Sequence, residues 1–96
     1  MSELQWRMPQ PDESPPATLR DGLTVADVAE ALDRDERRQL RAHSDLLLLV
    51  AAETDALMLV RVLLVRNDDS FVWRVHNARV ASAIDGEQWK QRGDQR

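Results

Sequence analysis

Apolar residues are spread unevenly along the chain. Between Asp45 and Arg66 they crowd into two unbroken runs, 46–52 and 56–60, followed by a looser stretch through Val65. No polar face phases these runs, so periodicity alone does not choose between helix and strand. Leu, Ala, Met, Glu and Arg fill most of the segment, and these residues lose little side-chain entropy in a helix. Ser44 is a suitable cap, with Asp45 at the positive end of the helix dipole. The helical reading is therefore preferred. The alternative is two strands, 46–51 and 57–65, joined by a turn at Glu53-Thr54-Asp55 and favoured by Val60, Val62 and Val65. Either element is apolar all round and must be covered all round. The chain offers little for that purpose beyond the stripe Val25, Val28, Ala29, Leu32 and the segment 71–84. A second copy or a partner is the expected source of the missing cover.

Upstream the pattern is clearer. Thr24 suits an N-cap, Asp27 completes an acidic capping box, and Leu23 with Val28 suits a hydrophobic staple. The stripe then repeats at helical spacing, which predicts a helix near 24–42. Its second half is charged, with Glu30–Arg34 and Asp33–Arg37 placed four apart in the favourable order. A solvated face explains that run. Its functional alternative is contact of Arg34, Arg37, Arg38 and Arg41 with an acidic partner or nucleic acid. Residues 66–70 read as a turn. Ser70 or Asp69 then caps a predicted helix over 71–84, ended by Asp85-Gly86; the alternative is a strand over 71–75 hairpinned onto 57–65.

The expected fold is thus mainly α, a small helical domain of three to four helices with an extended N-terminal arm. The alternative is α+β, the first helix packed on a three-stranded antiparallel meander over 46–76. Residues 1–18 form the arm, which holds all four prolines of the chain and favours extended backbone. Residues 19–87 form the domain, and 88–96 a polar tail that frays. Trp6 and Met8 on the arm and Trp89 in the tail are apolar residues in polar surroundings, the composition of anchors on another surface.

Composition narrows the function. Ninety-six residues make one small domain. With no cysteine there is no disulfide framework or thiolate site. Thirteen basic residues against seventeen acidic give a net charge of −4, whereas phosphate-backbone binders usually carry a basic excess. Twelve of the basic residues are Arg, which coding bias explains. His43 and His76 have no neighbouring ligands at metal spacing. Three glycines are too few for a phosphate-cradling loop. Ser44 beside His43 lacks the turn of a nucleophilic serine, and Asp68-Asp69 reads as part of a turn. Arg92-Gly93-Asp94 is too short to signify. A helix-turn-helix counted from Ala29 places Asp33 at the turn glycine and Gln39 at a buried aliphatic, and both fail.

No catalytic, metal or cofactor-binding residue is expected. The expected function is a non-enzymatic protein-interaction subunit that self-associates or docks onto a larger assembly, such as a phage or bacterial one. Trp6, Met8, Trp89, Arg34, Arg37, Arg38 and Arg41 are its expected contacts. A DNA-binding regulator, and an acidic inhibitor using Asp12, Glu13, Asp68, Asp69, Asp85 and Glu87, are the alternatives. Glu53, Asp55 and Arg61 argue against a membrane span over 46–65. Residues 1–9 lack the order of a secretory signal, which makes the expected setting cytoplasmic, or the virion for a phage component.

Overall fold

The computed structural model describes residues 5–13, 16–33, 38–44, 46–55 and 57–94, with backbone alone at 38, 41–44 and 92–94. In chain order it holds β1 (Trp6–Arg7), β2 (Thr18–Leu19), α1 (Val25–Leu32), β3 (Arg38–Ser44), β4 (Leu47–Glu53), β5 (Leu59–Val65), β6 (Trp73–Val80) and α2 (Ala83–Asp94). The six strands make one mixed sheet in the order β1-β6-β5-β4-β3, with β2 also pairing β6. The domain is mostly sheet, and the mainly helical expectation is overturned.

The reasons are local to each element. Within 46–65 lie β4 and β5, paired antiparallel in unbroken register from Leu47↔Val65 to Glu53↔Leu59. Helix propensity separates most residues by under about 0.7 kcal/mol, and tertiary burial readily overrides it. The expected helix over 24–42 stops at Leu32, where the Asp33 amide donates to the Ala29 carbonyl. Its apolar stripe ends there too. Further on, the chain buries Leu40 in β3, whereas each i,i+4 charge pair stabilises a helix by only about 0.2–0.5 kcal/mol. Residues 73–80 form β6 instead of a helix. Ser82 then opens α2: its Oγ accepts from the Asp85 amide at 3.3 Å, and Asp85 Oδ2 accepts from the Ser82 amide at 3.1 Å. Gly86 therefore lies inside a helix that it was expected to end. Ser44 sits in β3, not at a helix start. The meander weighed as the alternative corresponds to β4–β5–β6, which is half of the sheet.

Other expectations hold in detail. Thr24 caps α1 with the full capping box, and Leu23 and Val28 are buried in one cluster. The pairs Glu30–Arg34 and Asp33–Arg37 lie outside the described residues at their arginine ends.

Side chains alternate across the sheet, and β5 shows it as strict alternation of buried and half-buried positions. Val60, Val62 and Leu64 meet Val28, Ala31 and Leu32 of α1, together with Val50, Ala52, Val75 and Ala78. On the opposite face Leu49 and Ala51 meet Leu40, with Leu59, Leu63 and Trp89 packed against them. The apolar centre is covered within one chain.

Both sheet edges are managed. The arm runs beside β6 as an interrupted parallel strand, pairing Trp6↔Trp73 and Arg7↔Arg74, then Thr18↔Asn77 and Leu19↔Ala78. At the other edge β3 carries two register irregularities, which blunt strand-to-strand association.

The β4–β5 connection contains a misfit. The Leu57 amide donates to the Thr54 carbonyl at 2.9 Å, and Leu57 takes a φ of 61° while 78% exposed. A left-handed conformation costs a side-chain-bearing residue about 1–2 kcal/mol. Leu57→Gly is therefore expected to raise stability by up to about 1 kcal/mol, whereas Leu64→Ala in the core lowers it by about 2–5 kcal/mol. Urea denaturation of both variants checks the pair; a destabilised Leu57→Gly would count against the strained turn.

Candidate anion-binding site

α2 crosses one face of the sheet toward β3 and β4. Over the β5–β6 half of that face α2 reaches chiefly with its first turn, where Gly86 lies beside Leu59 and Asp85 beside Arg61 and Arg79. Pairing places Arg61 opposite Arg79, Leu63 opposite Asn77, and Thr18 opposite Asn77, so these side chains share the uncovered face. An irregularity adds one more. Leu63 opposes Asn77 while Leu64 opposes Val75, which makes His76 an extra residue on β6. Such a bulge re-aims a side chain. His76, Asn77, Arg61, Arg79, Thr18 and Arg20 line an open hollow of about 300 Å³.

Arg61 and Arg79 are like charges directly opposed on neighbouring strands, an arrangement that destabilises a sheet. Asp85 at the start of α2 partly relieves it. Its Oδ2 lies 3.8 Å from Arg61 Nε and 3.6 Å from Arg79 Nη2, and its side chain is 10% exposed. These are ion pairs beyond hydrogen-bond length. The same oxygen accepts from the Ser82 amide and hydroxyl, so Asp85 is committed to capping α2. Arg79 Nε is buried and makes no hydrogen bond among the described residues. The Arg20 backbone is fixed by its amide donating to the Ala78 carbonyl at 3.0 Å, and Asp21 Oδ2 accepts from the Val80 amide at 3.1 Å. Three arginines thus line the hollow, and no carboxylate is among the described residues lining it.

A second basic group lies at the other end of β6 on the same face. Arg7 and Arg74 are register partners. With Arg66 they line a crevice of about 30 Å³, enough for about one water. Glu13 binds two of them: Arg7 donates to both its oxygens at 2.7 and 2.8 Å, and Arg74 donates to Oε2 at 3.2 Å. The Gln10 amide adds a bond at 3.0 Å. Arg7 foremost, then the Gln10 amide and Arg74, hold the Glu13 carboxyl down at about 2, and Glu13 in turn raises the Arg7 pKa. Arg66 stacks over the Trp73 ring at 5.5 Å and donates to the Ser70 carbonyl at 3.2 Å.

The residues expected to meet a partner lie elsewhere. Trp6 donates from Nε1 to Asp33 Oδ1 at 2.9 Å and packs with Met8 against the α1-side core. Trp89 packs against the other core cluster. Arg34 and Arg37 fall outside the described residues; Arg38 and Arg41 lie in β3 with backbone alone described. Gln39, counted at the buried aliphatic of the second helix of a helix-turn-helix, lies in the strand β3. Of the acids weighed for an inhibitor, Glu13 and Asp85 are engaged by this chain's own arginines.

The sequence held a readable signal for the site that was missed. In 73–80 polar residues stand at 74, 76, 77 and 79 and apolar ones at 73, 75, 78 and 80. That is strand alternation with one residue inserted, the signature of a bulged strand with a polar face. Arg61, alone in an apolar run, marks the same face.

No family model, curated protein or solved structure matches this chain. Among the described residues there is no His/Asp/Glu group able to hold a metal ion, and no helix is long and apolar enough to cross a membrane.

The Glu13 clip has a pH signature. Its carboxyl titrates lower in the folded protein than its ordinary value of 4.5. Its contribution is therefore complete above that value and is lost as pH falls toward about 2. Glu13→Gln should lower the urea midpoint near neutral pH, and the gap to the parent protein should close on acidification through that window. A gap independent of pH would show that the clip is not ionic.

Proposed function

We propose that this protein is a non-enzymatic binding module that holds an anionic ligand against the uncovered β5–β6 half of its sheet. The observation that carries the reading is the convergence of Arg20, Arg61, Arg79 and His76 on one open hollow. Planar guanidinium groups suit phosphate and carboxylate oxygens, which they bind with paired donors. An opposed arginine pair costs the sheet stability, and such local conflicts are expected where function requires them. The overall charge of −4 does not oppose this, because exposed charges more than about 10 Å away are largely screened at moderate salt.

This reading keeps the expected interaction role and changes its basis. Self-association was argued from an uncovered apolar centre, and that centre is buried within one chain, between α1 and α2. Docking onto a larger assembly remains within the proposal where the assembly presents an anionic group. A cytoplasmic setting also remains part of it.

Titration of inorganic phosphate into the full chain, followed through backbone amide NMR shifts, tests the reading. Shifts should concentrate at 18–20 and 76–79, with an affinity on the order of millimolar for so small a ligand, and should fade as sodium chloride is added. Arg79→Thr should weaken binding while leaving stability equal or higher, since it removes the like-charge pair. Asp85→Asn should do the reverse, tightening phosphate binding while costing about 1 kcal/mol at the α2 cap. Shifts scattered over the surface, or none at 76–79, would overturn the proposal.

A further inference from the structure

The hollow is not the only basic feature of this face, and the two basic features lie in line. Arg74 and Arg79 point to the same side of β6, roughly 15 Å apart at ordinary strand rise. Among the described residues, Arg7, Arg66 and Arg74 line the first beside Glu13, and Arg20 and Arg79 line the second beside Asp85. A compact anion fills one cluster and leaves the other unused. A ligand matched to both must be an extended chain of negative charges.

An aromatic ring adds a second requirement. Phe71, the only phenylalanine, is 89% exposed. It sits between Ser70 and Val72, both of which wall the crevice beside Arg66. The Ser70 hydroxyl accepts from the Val72 amide at 3.1 Å, which fixes the loop around the ring. No core position claims this side chain. An exposed ring whose two chain neighbours line an arginine-bearing crevice suits the pairing by which single strands are held, with bases stacked on rings and phosphates on guanidinium groups. His76 supplies another ring in the hollow itself. A duplex, with its bases already stacked inside, has no use for either.

We propose that the ligand of this face is a single-stranded nucleic acid whose phosphodiester backbone follows β6 from the crevice to the hollow, with a base stacked on Phe71. The inference rests on the anion-binding reading above. Main-chain phosphates dominate the contact, so recognition is tolerant of sequence and steeply dependent on salt.

The test is fluorescence anisotropy with the full chain and labelled oligothymidylate and oligouridylate of increasing length, alongside thymidine monophosphate, a duplex of equal length and polyglutamate as competitors. Affinity should climb with length up to roughly four to eight nucleotides and fall linearly on a log–log plot against salt. Phe71→Ala should weaken oligonucleotide binding about ten-fold and leave the phosphate shifts at 76–79 unchanged. Arg20→Ala should weaken both. The thymidylate and uridylate arms separate DNA from RNA, and binding of either supports the proposal.

Three outcomes overturn it while sparing the simpler reading: oligonucleotides binding no tighter than the monophosphate, polyglutamate competing equally, or a duplex preferred with Phe71→Ala silent. In each of these, phosphate still shifts 76–79. Loss of that phosphate response as well would overturn both.

Discussion

A strand that buries side chains on both faces needs cover on both, and β4 and β5 are such strands. Val50, Ala52, Val60, Val62 and Leu64 point one way, and Leu49, Ala51, Leu59 and Leu63 the other. Cover must come from elements on opposite sides of the sheet. α1, the better amphipathic helix, takes one side. α2 takes the other with little apolar surface of its own, and Trp89 supplies much of it. A helix so placed lies mainly over β3 and β4 and meets β5 and β6 chiefly through its first turn, at Gly86 and Asp85, so much of the β5–β6 half of that face stays open. The candidate site exists because the second helix is too small to close the sheet.

That open half also explains the distribution of charge. A face without a helix above it must be polar to be stable in water, and here the polar residues are arginines with few acids among them. The acids that are present belong to structural devices. Asp85 caps α2 and is nearer to the Ser82 donors than to either arginine, and Glu13 clips the arm, held foremost by Arg7. The summed charge of the chain conceals this segregation, since composition averages a basic face with acidic surroundings.

Legibility from sequence followed the range of the interactions concerned. The α1 cap was readable because Thr24 and Asp27 act within one turn. Residues 46–65 were not, because apolar side chains on every face give no phase, and the strand outcome depends on pairing with distant partners. The helix expected to continue through 34–42 failed for a related reason: local charge pairs are weaker than burial of Leu40 against Leu49 and Ala51. Trp6, Met8 and Trp89 were expected to contact a partner; within the chain, Trp6 and Met8 pack against one core cluster and Trp89 against the other. Of the site itself, the period-two pattern around β6 was present and disguised by one inserted residue. The convergence of Arg20 with Arg61 and Arg79 has no sequence signal, because β2, β5 and β6 bring it about only in three dimensions.

The arm as a parallel edge strand has a consequence for how the molecule is made. Trp6 pairs with Trp73, and Leu19 with Ala78, so the arm is made well before the strand that it joins. Until β6 emerges, the arm has no strand to join; until the arm docks, β6 has one bare edge. Long-range closures of this kind are slow and leave pairing groups open in the interval. The closing step of this sheet therefore waits on its most distant pairing, and it seals one edge from two segments far apart in the chain.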